Sequence, residues 1–524
     1  MTPTSSWACL RKAGQADLAA LRGALHDPTV AQEQLLRRIL ADNVESAFGR
    51  QHEFQSIRNW DDYRQRVPIR DYVGLSPWIE RIISGDANAL TTEAPFVFEL
   101  TGGSSGGHKL VPYTRRALSA FRVAILAWLA DLLANRPEMG GGRAYFAISP
   151  ATRAKRQSIG GLPIGLETDA GYLGEDLAPV LSSLLIGVDL GALPDVESWR
   201  LMTAAALAAS ADLSFISVWS PTFLTSLLET MAERRDEIAM LIRQRSDGTE
   251  RAARFMECTT NERVEAAALW PQLRLVSAWA DASSKSAAAR LRSITPEIEL
   301  QPKGLLATEG VFTLPLSGPN FPVPALNSSV LEFEDKSGAL HLIDELAEGS
   351  TYQLIVTTPG GFYRYRIGDE VKCCGFIGGT SARTPMLTFI GRAGNVADLV
   401  GEKIEEAFAA ACVATTDSFA CLVAIESPPH YVLVVESETD VMRVSGYEHH
   451  LCTNPLYADA RFTGQLGPLR ILTIENAFQR YLAWRVQNGA RLGDIKQPAL
   501  LHDWVALVEF WPELRTPAGQ SLLV

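Results

Sequence analysis

The sequence predicts an α/β protein: a large N-terminal domain of mixed and parallel sheets flanked by helices, then a small α+β domain. Three features predict it. From about residue 96, short apolar runs alternate with long helical patterns; after Gly310, short strands punctuated by Pro and Gly follow; beyond residue 395 a second strand–helix alternation begins. Strands separated by helices call for parallel sheets covered on both faces. A chain of 524 residues is also too long for one ordinary core. The boundary is placed near 393–397, giving domains 1–393 and 394–524.

Residues 30–48 read as one amphipathic helix, with Leu35, Leu36, Ile39, Leu40, Val44 and Phe48 near a 3.6 period. Residues 96–100 read as a strand, followed by a Gly/Ser loop and a long helix over 114–134. Strands are predicted at 144–148, 213–218 and 273–279, the last two each followed by a helix. Ser220 and Pro221 supply an N-cap and first-turn proline for one of these. Shorter strands follow at 330–334, 353–357, 371–376 and 386–390. Residues 391–395 read as a linker. Beyond it come a helix from Lys403, strands at 422–425, 431–435 and 469–474, and a helix over 478–487.

Composition narrows the function. At 47% hydrophobic and 21% charged residues, the chain has apolar surface enough for a core. Its formal charge of −12 makes it a poor nucleic-acid binder, because phosphate neutralisation needs clustered Lys and Arg. Seven scattered cysteines without a C-x-x-C predict reduced, mostly buried thiols in a cytoplasmic protein. Residues 1–27 lack the apolar run of a signal peptide. The longest uncharged stretch, 310–331, holds four prolines and is no membrane helix.

Four short strings carry chemistry. Thr101-Gly102-Gly103-Ser104-Ser105-Gly106-Gly107-His108-Lys109 lies between a predicted strand and a predicted helix. Its glycines let several N–H groups face one point, a nest for phosphates, with hydroxyls from Ser104 and Ser105 and a charge from Lys109. Gly/Ser runs are also commonly surface linkers. It is not a Walker loop, since His108 stands before Lys109 and Leu110 after it. In the string 361–369, Asp369 follows Gly368 at a predicted strand end, fit for the vicinal hydroxyls of a ribose or for a plain β-turn. Thr308-Glu309-Gly310 offers a carboxylate for Mg²⁺ beside phosphate oxygens, or again only a turn. Lys496, beside Pro498, taken alone is a solvated surface lysine.

The order of these strings resembles the adenylate-forming superfamily and, within it, the acyl acid amido synthetases first known as plant auxin-responsive (Gretchen Hagen) proteins. The resemblance runs nearly end to end. It rests on Val67-Pro68-Ile69 and residues 79–88, the loop 101–109, residues 305–310, Tyr363-Arg364-Tyr365-Arg366-Ile367-Gly368-Asp369, Gly391-Arg392, Gly401-Glu402-Lys403 with Glu406, residues 454–457, residues 464–467, and Lys496. It implies an adenylate-forming fold with a mobile C-terminal domain. It also implies two half-reactions: attack of a carboxylate on the α-phosphorus of ATP, then displacement of AMP by an amine such as an amino acid. In this scheme Thr101, Ser104, Ser105, Gly106, Gly107 and Lys109 bind phosphate, Thr308 and Arg392 contact the nucleotide, Glu309 binds Mg²⁺, and Asp369 fixes the ribose. Lys496 bridges the acid and the α-phosphate, and Lys403 reaches the nucleotide in one domain orientation. The protein is expected to act as a monomer, without nucleic acid or membrane.

Three rival readings differ in a measurable way. An acyl-CoA ligase would share the first step but pass the acyl group to a thiol. A P-loop ATPase or kinase would release ADP and phosphate rather than AMP and pyrophosphate, and the position of Lys109 argues against it. A non-catalytic relative would bind without turnover, and the joint presence of Glu309, Asp369 and Lys496 argues against that.

Overall fold

The first helix, Pro3–His26, starts where Thr2 accepts a hydrogen bond from the backbone of Ser5 and Pro3 fixes the first turn. It packs on the helix Arg115–Asn135, capped by the Thr114 side chain. They cross so closely that a Cβ on Gly14 would lie 2.1 Å from the carbonyl oxygen of Leu126, so only glycine fits there. Arg115–Asn135 is long and apolar enough to cross a bilayer. Here it is a core helix, its C-terminal half buried and its one buried carboxylate, Asp131, paired with Arg22 at 2.9 Å.

The computed structural model describes the chain except residues 101–108, 147–155, 166–168, 188–195, 246–247, 379–382, 393–394, 398, 400–401, 403, 415, 417, 427, 437–443, 463–465, 493–494 and 516–524. The chain forms two units. The first comprises Met1–Ser217, Leu227–Ser277 and Glu297–Phe389; the second comprises Val218–Ser226, Ala278–Pro296 and Ile390–Val524.

Three sheets shape the first unit. In one, β1 (Val97–Leu100) lies between β2 (Leu110–Tyr113) and the short β5 (Pro163–Ile164), with β4 (Arg156–Gln157) outside. In the second, β3 (Arg143–Phe146), β6 (Leu213–Ser217), β7 (Leu275–Ala278) and β8 (Glu299–Pro302) stand in that order. The pairs β3/β6 and β6/β7 are parallel, as strand–helix alternation requires. Two hairpins follow, β9 (Leu306–Ala307) with β10 (Gly310–Val311) and β11 (Thr313–Leu314) with β12 (Val323–Pro324). The third sheet is β14-β13-β15-β16-β17, from β13 (Val330–Glu334), β14 (Leu340–His341), β15 (Thr351–Thr357), β16 (Tyr365–Phe376) and β17 (Pro385–Arg392).

The second unit has a hairpin of β18 (Val396–Ala397) and β19 (Ile404–Glu405). Its main sheet runs β22-β21-β20-β23, formed by β20 (Ala420–Glu426), β21 (Pro429–Val435), β22 (Arg470–Thr473) and β23 (Leu500–Leu501). Strand β20 is antiparallel to β21 and parallel to β23, while β21 is parallel to β22.

Several expectations need correction. The phosphate-loop string joins two antiparallel strands rather than a strand and a helix, since Leu100 pairs with Leu110 and the helix begins only at Arg115. The predicted helix 30–48 breaks after Asp42. Asn43 Nδ2 donates to the carbonyl of Ile39, and Ser46 caps a separate helix, Ala47–Gln51; such side chains compete with helical backbone bonds. The expected linker begins as strand, because β17 runs to Arg392. The helix expected from Lys403 starts at Glu406, after β19. All seven cysteines are free thiols, four of them buried.

Candidate active site

Thr308 and Glu309 are the two turn residues of the β9–β10 hairpin, in which Ala307 faces Gly310. A two-residue turn projects both side chains, and two tyrosines from distant parts of the first unit hold it. Tyr113, the last residue of β2, donates to the carbonyl of Thr308 at 2.5 Å. Tyr365, the first residue of β16, donates to Glu309 Oε1 at 3.3 Å. Tyr365 is itself fixed by Arg70, whose N–H donates to the Arg364 carbonyl while its carbonyl accepts from Arg366.

Lys109 stands at the exit of the phosphate-loop string, its Nζ 5.3 Å from the ring centroid of Tyr72. The Tyr72 hydroxyl accepts from Leu110 N–H at 2.8 Å and donates to the Leu110 carbonyl at 3.1 Å, pinning the start of β2. Burial pushes the Tyr72 phenol upward, and the negative charges of Glu309 and Glu80 push it further. Glu309 is thus near enough to Tyr72 for its charge to be felt. Lys109 lies on Tyr72, and Thr308 and Glu309 are held by Tyr113 and Tyr365.

Asp369 is buried, at 2% exposure. The sequence places it at a strand end, but it lies inside β16. The ladder with β15 shifts there: Gln353 pairs with Glu370 and Ile355 with Arg366, so Leu354 alone faces Ile367, Gly368 and Asp369. Gly368 takes φ +84°, a conformation glycine adopts at no steric cost. A bulge of this kind re-aims a side chain out of the regular alternation. Residues Tyr363 to Arg366 owe their order to Arg364, whose backbone is left-handed at φ +47° and whose guanidinium grips Glu332 at 2.8 and 3.1 Å.

In the second unit, Lys496 is half-buried and its Nζ lies 4.8 Å from the ring centroid of Trp279, which is tilted against Trp219 at 5.6 Å. The lone-surface reading of Lys496 is therefore corrected: an aromatic face holds its ammonium. Thr101, Ser104, Ser105, Gly106, Gly107 and Lys403 lie outside the described residues, as does the side chain of Arg392, whose backbone closes β17.

Sequence reasoning missed Tyr72, Tyr113 and Lys303. Tyr72 falls between the strings 67–69 and 79–88 that carry part of the family resemblance, but nothing local marks Tyr113. Lys303 follows β8 immediately and donates to Ser217 Oγ at 2.7 Å and Ser277 Oγ at 3.3 Å. Burial pushes its ammonium down to about 7 from 10.5. Since the folded pKa is the lower one, the unfolded chain binds more protons between about pH 7 and 10.5. Stability contributed by this group therefore rises with pH across that window. Lys303→Met should be more thermostable than the parent at pH 7, with a gap that narrows toward pH 10; parallel melting midpoints over this range would contradict the assignment.

The fold is shared with solved amido synthetase and CoA ligase structures. The structure matches GH3.15 acyl acid amido synthetase with a TM-score of 0.78, at 18% identity over 95% of both chains. It matches 2-hydroxyisobutyryl-CoA ligase in the postadenylation state with 2-HIB-AMP at a TM-score of 0.53 and 13% identity, covering 93% of this chain and 91% of that one. The chain belongs to the GH3 family: the GH3 family N-terminal domain matches residues 17–300, the central domain 326–392 and the C-terminal domain 398–504. It is 23% identical to the probable indole-3-acetic acid-amido synthetase GH3.1 of Arabidopsis thaliana, over 89% of this chain and 88% of that protein. It is 24% identical to the probable indole-3-acetic acid-amido synthetase GH3.7 of Oryza sativa subsp. japonica, over 94% of each.

Proposed function

We propose that this protein is an ATP-dependent acid–amine ligase. A carboxylate oxygen of the acid attacks the α-phosphorus of ATP; the bond to the β-phosphate breaks and pyrophosphate leaves. The neutral amine nitrogen then attacks the acyl carbon, and AMP departs with the oxygen that bridged acid and phosphorus. The ammonium proton passes to a base before that attack, and the nitrogen sheds a second proton to solvent as AMP departs and the amide forms. The observation that carries the reading is the hold on Thr308 and Glu309 by Tyr113 and Tyr365, from segments some two hundred and fifty residues apart, with Lys109 on Tyr72. The two sequence relatives named above are both amido synthetases, which supports an amine as acceptor.

Each residue is assigned a task by this reading. Ser104, Ser105, Gly106, Gly107 and Lys109 take the β- and γ-phosphates, while Thr101, Thr308 and Arg392 contact the nucleotide. Lys496 stabilises charge developing on the α-phosphoryl oxygens, where a preplaced cation is most effective. Lys403 contacts the nucleotide when residues 394–524 adopt their second orientation as a lid. Among the described residues no cluster of three or more carboxylate, His or Cys side chains forms a cage for metal. Mg²⁺ binds through one or two carboxylates plus substrate phosphates; Glu309 would be that carboxylate, and the ion would neutralise phosphate charge. The protein is taken to work as a cytoplasmic monomer.

Acid-dependent ATP–pyrophosphate exchange over a panel of carboxylic acids tests the first half-reaction, and adding amino acids or CoA to the positive acids tests the second. AMP release with amide formation is expected; ADP release, or a thioester as the only product, would refute the reading. Asp369→Ala should weaken ATP binding roughly 10- to 100-fold, the loss of hydrogen bonds to a charged group. Unchanged ATP affinity by calorimetry would remove Asp369 from the ribose site.

A further inference from the structure

Lys303 is a feature for which neither half-reaction accounts. In a parallel sheet, ligands bind in the crevice outside the carboxyl ends of the strands. Ser217 is the last residue of β6, Ser277 the penultimate residue of β7, and Lys303 follows the last residue of β8. Three adjacent strand ends thus deliver two hydroxyls and an ammonium to one point. Lys303 sits deep in the first unit, yet it and Ser217 keep accessible surface, as do Phe146, Leu306, Ala307, Thr308 and Glu309. The surroundings of Lys303 are aromatic: its Nζ lies 5.3 Å from the ring centroid of Trp128, which packs on Phe215, as does Phe146 from β3.

The chemistry of the corner is that of a donor cluster. An ammonium has only donors to offer, so both serine hydroxyls accept from it and keep their own protons to donate. Among the described residues, no acceptor for either serine proton is found. The corner therefore favours an acceptor oxygen, best a negatively charged one. It stands only five residues before Thr308, in the segment that joins β8 to the β9–β10 hairpin.

We propose that Lys303, Ser217 and Ser277 form a polar subsite in the acyl pocket that selects a carboxylic acid bearing a second oxygen acceptor away from the reacting carboxylate, with a second carboxylate the best match. This rests on the ligase reading and narrows its substrate class.

The test is ATP–pyrophosphate exchange with pairs of acids matched in length, each a monocarboxylate against its dicarboxylate, keto or hydroxy counterpart. No amine is present, so only acid recognition is read. The parent should prefer the oxygen-bearing member, and Lys303→Met should lower that preference roughly 10- to 100-fold, the range for losing a charged donor. Ser217→Ala should lower it less and guards against a folding defect in the lysine variant. A preference for plain monocarboxylates, or one unchanged in both variants, would overturn the subsite while leaving adenylation intact. In the complete reaction, with an amino acid supplied, an altered KM for that acceptor alongside unchanged acid preference would also overturn it, moving the cluster to the second substrate. Exchange with no acid at all would instead sink the ligase reading, and this proposal with it.

Discussion

Replacing Lys496 with alanine should lower acid-dependent ATP–pyrophosphate exchange by ~10²–10³, the range for losing one preplaced donor to a developing oxyanion. The in-line attack concentrates negative charge on the α-phosphoryl oxygens as the carboxylate approaches, so a cation there is worth more in the transition state than in the ground state. The local sequence presents such a cation. Ile495 and Gln497 on either side are buried and Pro498 restricts the chain beyond, while the side chain of Lys496 lies half-buried on Trp279. A cation–π contact partly replaces water around the ammonium and limits where it can go. Because the lost interaction belongs to the transition state, ATP affinity should change little while the rate falls. Lys496→Arg should recover only part of the rate, since a planar guanidinium does not replace a point charge. Supplying preformed acyl adenylate isolates the half-reaction: amide formation from it should be far less impaired than exchange. Exchange within a few-fold of the parent would release Lys496 from its role.

What was readable in the sequence was the chemistry carried by short contiguous strings. Thr308-Glu309 and Tyr363–Asp369 could be read because a motif holds its polar groups and its glycine within a few residues. The structure then supplies partners that no local pattern announces. Tyr113 reaches Thr308 across 195 positions, and Lys303 reaches Ser217 across 86; contacts of that span are created only by the order of the strands. Asp369 shows a different limit. Glycine within a strand pattern reads as a strand end, yet β16 continues through Gly368 by bulging. Strand β2 was missed because four residues, Leu110 to Tyr113, with a proline among them, make a weak strand signal. Pairing with β1 overrides that weakness, as edge strands tolerate proline.

Glu332→Ala should destabilise the first unit by about 3–5 kcal/mol, the cost of leaving a buried guanidinium without its counter-ion. Glu332 and Arg364 are 2% and 3% exposed, so water cannot replace either partner. Arg364 donates to Glu332 through Nε at 2.8 Å and Nη2 at 3.1 Å, and through Nη1 to the carbonyls of Val67 at 2.9 Å and Arg64 at 3.1 Å. Arg64 adds its Nε to the same carboxylate at 2.9 Å. One carboxylate therefore ties the segment 64–67 to β13 and to the left-handed turn that presents Tyr365. Removing it frees the restraint on a residue whose backbone conformation is unfavourable for a bulky side chain. ATP affinity should therefore fall together with stability. The double variant Glu332→Leu, Arg364→Met removes the fully buried pair and should recover part of the stability, since such a pair replaced by apolar groups of similar size is often neutral, while Arg64, partly exposed, still loses its carboxylate. It should not recover ATP affinity, because the bonds fixing the segment before Tyr365 are gone. Chemical denaturation followed by tryptophan fluorescence, with ATP titration of each folded variant, separates the two effects; a loss below about 1 kcal/mol in the single variant, the range of an exposed pair, would show that this ion pair does not order the segment.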